Sequence, residues 1–402
     1  MLLIGIDAGA SKVKGIEVKF NKKQNLFIPG EAFSEYKYIE IEEFQHDFKP
    51  IDINIQLKDY EKQELNITEQ EKIQGEVYIK AAFKVIKDIS SKKGIKDILV
   101  GIGIPGLKTQ NKRGIAVLKN GPRIPNYSII LEKYLKDYDI NLIEKIHYLG
   151  SDADFCGIGE EYVKGGLFKG VKNVYYIGCG TGIADAMKLY GELVPFDNTK
   201  SWLPKSWEFF SKYGKTFEQL ISAKSIMINY GELIGLSYEE LNKNKIYLNN
   251  IFQFALNGDT KALKVINQVI ESLAELLFDR IYTLYIGNNI ERKFVKNDRI
   301  PLEKKHPYIG TLWERIVIGQ RLGQIWNNSL FENIFQSKVK KELSLLIKNN
   351  PDLDKYAKSY YLSVLQKDFI LGSELLSAPA IGAGIDVYLK YFPSLGYSKN
   401  NS

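Results

Sequence analysis

The chain has 402 residues, more than one ordinary hydrophobic core accommodates, so two domains are the starting expectation. Its 45% hydrophobic and 26% charged residues exclude a disordered chain, and 55 Lys+Arg against 48 Asp+Glu leave a charge of +7 spread along it. That balance suits anionic small ligands and not nucleic acid; two cysteines and three histidines offer neither a disulfide framework nor a zinc site, and no apolar run approaches a membrane span. The opening residues run straight into a strand without a charged leader, so a cytoplasmic location is expected.

The first block, MLLIGIDAGASKVKGIEVKF, reads as a strand, a small-residue turn and a second strand. Asp7 stands at the mouth of the first strand, with the hydroxyl of Ser11 and the amine of Lys12 shortly after it. Residues 22–75 are polar and Lys/Glu-rich and read as an insertion, a lid or added strands. Residues 76–93 carry apolar positions at helical spacing, and DILVGIGIPG is a buried strand stopped by Gly-Ile-Pro-Gly. YSIILEKYLKDY reads as a helix, and EKIHYLGSDADFCGIGEEYV as a short strand ending at Gly150 with a helix from Ser151. VKNVYYIGCGTGIADAMKLYGELV repeats the opening theme. Residues 200–230 and 260–285 look helical, and 286–312, polar with charge runs, reads as a second insertion. RIVIGQRLGQIW reads as a strand into a glycine-containing turn, SAPAIGAGIDVYLKYF as a closely packing small-residue helix, and YSKNNS as a frayed tail.

Two hairpins with glycine-rich turns, GIDAGASKVKG and GCGTGIADA, thus lie about 170 residues apart. Consecutive small residues present backbone N–H groups as an anion-binding concavity. Glycine serves there because a side chain would block the approach, or because φ > 0 is needed. Ser11 and Thr181 add hydroxyls and Lys12 a charge. Plain structural readings stand beside these: Asp7 ending its strand in an Asx-type turn, Asp152 and Asp154 capping a helix, Cys156 and Cys179 as buried small side chains, and Trp202 and Trp207 as packing.

The ordered series GIDAGASK, GIGIPG, SDADFCGIGE, IGCGTGIADA, IVIGQRLG and AIGAGIDVY resembles the sugar-kinase branch of the actin/hexokinase/Hsp70 superfamily, and within it the ROK family (repressor, open reading frame, kinase). That resemblance implies an α/β chain with two RNase H-like domains around a nucleotide cleft, at 1–120 and 121–402, the last helix packing back on the first domain. It implies ATP and Mg²⁺ as cofactors, a small-molecule sugar as partner, a homodimer, and neither nucleic acid nor membrane. Asp7 matches the acid that positions Mg²⁺. Gly9, Ser11 and Lys12 match the first phosphate turn, and Gly180, Thr181 and Gly182 the second. Gly319 and Gly323 fall in the adenosine segment. Asp152 matches the general base, and Glu160 a nearby acid that touches sugar in some relatives.

The chain also departs from the family pattern. Ala10-Ser11 stands where Gly-Thr is usual. Asp185 follows the second turn, where a carboxylate would repel phosphates unless a cation offsets it. By the same resemblance Arg123, in GPRIPNY, occupies the place of an asparagine that holds sugar hydroxyls, which implies either an altered sugar, one carrying a negative group for example, or no sugar at all. Residues 198–214 replace the family's zinc motif, so no zinc is expected. The leading expectation is a hexose or hexose-derivative kinase, and the alternative a sugar or nucleotide sensor that keeps the fold. A repressor is disfavoured because the first motif begins at residue 4. A 2-hydroxyacyl dehydratase activator shares the first motif, but Cys156 and Cys179 lie in the wrong segments for its cluster.

Overall fold

The computed structural model describes residues 1–296 and 298–392; YSKNNS lies outside the described residues. The chain forms two compact units, one of residues 1–166 with 377–392, the other of residues 167–376. The sequence reading divided it after residue 120 instead.

In the first unit, β1 (Leu2–Ala8) and β2 (Lys12–Asn21) form the expected hairpin, and β3 (Leu26–Lys37) pairs antiparallel with β2. Much of the segment read as an insertion is therefore framework, supplying a sheet strand, α1 (Ile53–Lys62) and the start of α2 (Glu69–Lys93). A capping box between Thr68 and Glu71 starts α2, and Gly94 ends it at φ 63°. Val77, Ile79, Val85, Ile86 and Ile89 bury much of the circumference of α2 in the core beneath the sheet. β4 (Asp97–Gly103) joins β1 in parallel, β5 (Leu107–Lys108) and β6 (Ile115–Val117) make a small ribbon, and α3 (Tyr127–Asp137) leads to β7 (Asn141–Leu142) and α4 (Asp152–Tyr162). The sheet order is β3-β2-β1-β4-β7.

The C-terminal helix, Ala378–Tyr391, belongs to this unit. A Cβ on Gly5 would lie 1.7 Å from the Ala380 carbonyl oxygen, and one on Gly101 1.9 Å from that of Ala383, so the helix packs backbone to backbone on β1 and β4.

The second unit repeats the plan. β8 (Val174–Cys179), β9 (Ile183–Leu189) and β10 (Glu192–Val194) form a meander. The short helices α5 (Phe217–Ile221), α6 (Ala223–Ile234), α7 (Tyr238–Lys243) and α8 (Leu248–Leu256) precede the long α9 (Thr260–Ile286). β11 (Arg315–Gly319) runs directly into α10 (Gln320–Asn327) without the expected turn. After α11 (Ser337–Asn349) and α12 (Lys355–Val364), β12 (Ile370–Gly372) completes the order β10-β9-β8-β11-β12.

Residues 200–216, expected to be helical, instead form a series of turns braced by residues 286–312. Phe210 N–H donates to the Lys293 carbonyl at 2.9 Å, Val295 N–H to that of Glu208 at 2.9 Å, and Glu303 N–H to that of Ser201 at 2.8 Å. Trp202, buried, stacks on His306 at 4.0 Å, whereas Trp207 is exposed. His306 Nε2 lies 2.8 Å from the Thr283 carbonyl oxygen, and its Nδ1 accepts Tyr308 N–H at 3.1 Å, an arrangement that requires the neutral ring. Burial lowers its pKa accordingly.

Candidate functional site

In the first unit the strand register assembles the charges. Asp7 sits opposite Lys14 across the β1–β2 hairpin and opposite Gly103 in β4, and Gly103 bridges to Gly150. Two residues past Gly150, Asp152 opens α4 behind the N-cap Ser151, whose hydroxyl accepts Asp154 N–H at 3.3 Å. Glycine is required at 103 and 150 because α4 lies close: a Cβ would stand 2.8 Å and 2.1 Å from the Phe155 ring. This brings Asp7 and Asp152 within electrostatic reach of each other. Burial and the Asp152 charge push the Asp7 carboxyl up to about 7, against the pull of Lys14 and Lys12. Two crowded carboxylates of this kind favour a cation, and Mg²⁺ characteristically takes one or two carboxylates together with waters and phosphate oxygens.

Beside them runs the first turn, Gly9-Ala10-Ser11, whose amides donate to no protein acceptor among the described residues. A Cβ on Gly9 would meet nothing nearer than 3.6 Å, so the protein's own packing does not demand glycine there. Tyr38 pins the turn from beneath: its N–H donates to the Ser11 carbonyl at 3.1 Å and its hydroxyl to that of Gly9 at 2.8 Å. The Tyr38 ring is buried and stacked on Tyr78 at 3.7 Å. Lys12 makes a 2.8 Å ion pair with Glu35. Glu160 is fully buried, eight residues up α4 from Asp152.

In the second unit, parallel pairing of β8 with β11 sets Gly319 beside Gly178, so the Gly180-Thr181-Gly182 turn adjoins the head of α10. Space, not φ, explains Gly180 and Gly182, because neither is left-handed. A Cβ on Gly180 would fall 1.9 Å from Gln320 Oε1, and one on Gly182 2.7 Å from Glu218 Oε2. Thr181 is exposed. Gly180 N–H is spent on the Gly182 carbonyl at 3.0 Å, and Ile183 N–H donates to Glu218 at 3.0 Å. Gly323 is a packing glycine, buried where a Cβ would stand 2.4 Å from the Ile318 carbonyl oxygen.

Two expectations need correction. Arg123 is 2% exposed and is held by Glu71, through Nε and Nη2 at 2.7 Å each, by Asp59 at 2.7 Å and by the Asn66 carbonyl at 2.6 Å. This buried bidentate lock ties α1 and α2 to the loop before α3, and its donors are committed to protein, not to a sugar. Asp185 does not threaten phosphates. Its side chain points into the core under α9, accepting from Tyr175 Oη at 2.5 Å, Ser206 N–H at 3.0 Å and Arg280 at 3.3 Å. Cys156 and Cys179 are buried free thiols.

Lys14, Tyr38, Glu218 and Gln320 were not singled out from sequence. The hairpin spacing does contain a signal for Lys14: a turn centred on Ala10-Ser11 pairs positions whose numbers sum to 21, as Asp7 and Lys14 do. The other three depend on packing. No helix among the described residues is long and apolar enough to cross a membrane.

No family model matches the chain, and no curated protein matches its sequence. Solved structures match over nearly its whole length. A ROK family glucokinase from Streptomyces griseus, in complex with glucose and AMPPNP, is 13% identical with a TM-score of 0.55, covering 96% of this chain and 98% of that one. A ROK hexokinase from Thermus thermophilus is 14% identical, with a TM-score of 0.52 over 98% of this chain and 100% of that one. A ROK family protein from Streptococcus pneumoniae TIGR4, in complex with sucrose, is 15% identical, with a TM-score of 0.52 and the same coverage. At such identities the likeness is one of fold: the chain has the α/β, actin-like ATPase fold of the ROK sugar kinases.

Proposed function

We propose that the protein transfers the γ-phosphoryl group of Mg·ATP to a hydroxyl of a hexose or hexose derivative. The observation that carries this reading is the convergence of Asp7 and Asp152 beside a turn whose amides are unspent. Phosphoryl transfer asks a protein mainly for positioning and charge neutralisation. Asp152, at the head of α4, orients the acceptor hydroxyl and takes its proton. Asp7 holds Mg²⁺ through water, and the ion, when bound, neutralises charge on the phosphates. Lys14, opposite Asp7, adds a second positive charge where it develops. The Gly9–Ser11 turn, whose amides are unspent, receives phosphate oxygens.

The test is ADP release from Mg·ATP across hexoses, N-acetylhexosamines and acidic or phosphorylated sugars, run beside Asp152→Asn. Sugar-dependent turnover in the parent and its loss by roughly 100-fold or more in the variant are the expected result. The second reading is a sensor that binds sugar or nucleotide without turnover. The Glu218 carboxylate at the second turn favours it, since an uncompensated negative charge there opposes phosphate. No turnover with any sugar, while ATP or a sugar still raises the melting temperature, would establish that reading instead.

A further inference from the structure

The face of the first unit that bears the C-terminal helix holds a cavity of about 370 Å³. Its floor is apolar: Val100 and Ile102 of β4, Phe155 of α4, and Ala383 and Val387 of the C-terminal helix. The walls cannot close on it. The helix is already in backbone contact with β4, at Gly101 and Ala383. On the other side Tyr148 donates its hydroxyl to Asp386, and Lys390 pairs with the same carboxylate at 3.0 Å while lying 3.9 Å from the centroid of the Tyr148 ring. The segment after β7 is thereby tied to the helix with the space left between them. An apolar floor held open in this way forgoes the contacts that a filling group would make.

The rim sets the chemistry of the occupant. Glu144 is engaged by His147 at 2.8 Å and Lys390 by Asp386, whereas Lys145 has no salt-bridge partner among the described residues. An apolar pocket of this size, with one uncommitted ammonium at its mouth and the Tyr148 ring in its wall, suits a compact aromatic body that carries a single negative group.

Phe155 joins the cavity to the charges of the candidate site. Its ring lines the floor and also abuts Gly103 and Gly150, which a Cβ would bring to 2.8 Å and 2.1 Å from it. Gly103 pairs with Asp7, and Asp152 precedes Phe155 by three residues on α4. We infer that the cavity is an effector site for a small aromatic monoanion, whose occupancy presses Phe155 onto Gly103 and Gly150 and so steadies Asp152 beside Asp7. Binding stands on the cavity alone; the activation that follows from it rests on the kinase reading above.

The experiment titrates 2-naphthoate, 2-naphthyl phosphate and the neutral 2-naphthalenemethanol into the parent chain, Lys145→Met and Val387→Trp by calorimetry. Amide exchange over residues 150–155 and sugar-dependent turnover are followed alongside. The parent should bind at least one anion roughly fivefold or more tighter than the alcohol, the carboxylate and phosphate arms showing which group is preferred. Lys145→Met, at an exposed position, should bring the three within about twofold of one another. Val387→Trp, which fills the floor, should weaken all three roughly tenfold or more. Occupancy should slow exchange over 150–155 and raise kcat/KM roughly fivefold. No binding by the parent, or binding that both variants leave unchanged, overturns the site. Binding that alters neither exchange nor turnover overturns its role as an effector site. A parent without sugar turnover, in which the probe still slows exchange over 150–155, overturns the kinase reading and leaves the site standing.

Discussion

The two hairpins of this protein share a topology and differ in chemistry. Each opens a five-stranded sheet with the same strand order, and each ends in a glycine-rich turn. In the first, the penultimate strand residue and its cross-strand partner are Asp7 and Lys14; in the second the same places hold Gly178 and Ala184. One hairpin supplies charge and the other supplies space. The turns differ as well: residues 9–12 lie inside the Ala8–Val13 pair, but only 180–182 inside the Cys179–Ile183 pair. Because side chains alternate between sheet faces, such a difference decides which residue faces the core. Asp185 pairs with Ile177 and points under α9 into a buried ion cluster with Arg280, whereas Lys14, paired with Asp7, stays at the strand mouth. The fold is a common scaffold and the function is placed on it by a few positions.

On the proposed function, the charge of the second hairpin is structural and that of the first serves phosphoryl transfer, and four experiments strain this contrast. Arg280→Met should have the largest effect, because it leaves Asp185 and Asp279 buried without their shared cation. A loss of about 3–5 kcal/mol in urea unfolding is expected; a near-neutral result would mean the cluster does not hold the hairpin. Lys14→Met should do the reverse, lowering kcat/KM roughly 10–100-fold while the melting temperature moves by less than about 2 °C. Equal loss of stability and activity would remove the distinction between the hairpins.

Tyr38→Phe keeps the stack on Tyr78 and removes only the hydrogen bond to Gly9. About 1 kcal/mol, or roughly fivefold in KM for Mg·ATP with sugar KM unchanged, is the expected cost. Faster exchange of the Tyr38 amide, which donates to the Ser11 carbonyl, should accompany it whatever the activity. The smallest effect concerns His306. Its folded pKa is lowered, so its contribution is fully present above the unfolded value of about 6.5 and is lost as pH falls below it. Protonating Nδ1 also breaks the bond from Tyr308 N–H. His306→Gln should flatten the slope of stability between about pH 6.5 and 5 measured in the parent.

Legibility in the sequence followed the range of the interactions. Both hairpins, α9 and the small-residue C-terminal helix were readable because short periodicities and glycine turns are local signals. Leu26–Lys37 was legible only as added strands without bounds in a polar segment, because an edge strand needs little apolar sequence, and residues 200–216 looked helical although they form turns tied to residues 286–312 by backbone hydrogen bonds. Arg123 illustrates the same limit at a site: its number in the chain matched a ligand position, but Glu71 and Asp59, 52 and 64 residues away, claim its guanidinium.

The sequence by itself determined the α/β pattern, the two glycine turns and the acids Asp7 and Asp152, since each is written in a few consecutive residues. Tertiary structure alone decided that Asp7 meets Asp152, that Asp185 is neutralised by Arg280 and that Gln320 lies over Gly180, because those neighbours come from elements far apart in the chain. Charge and desolvation act through space, and only the folded register sets those distances.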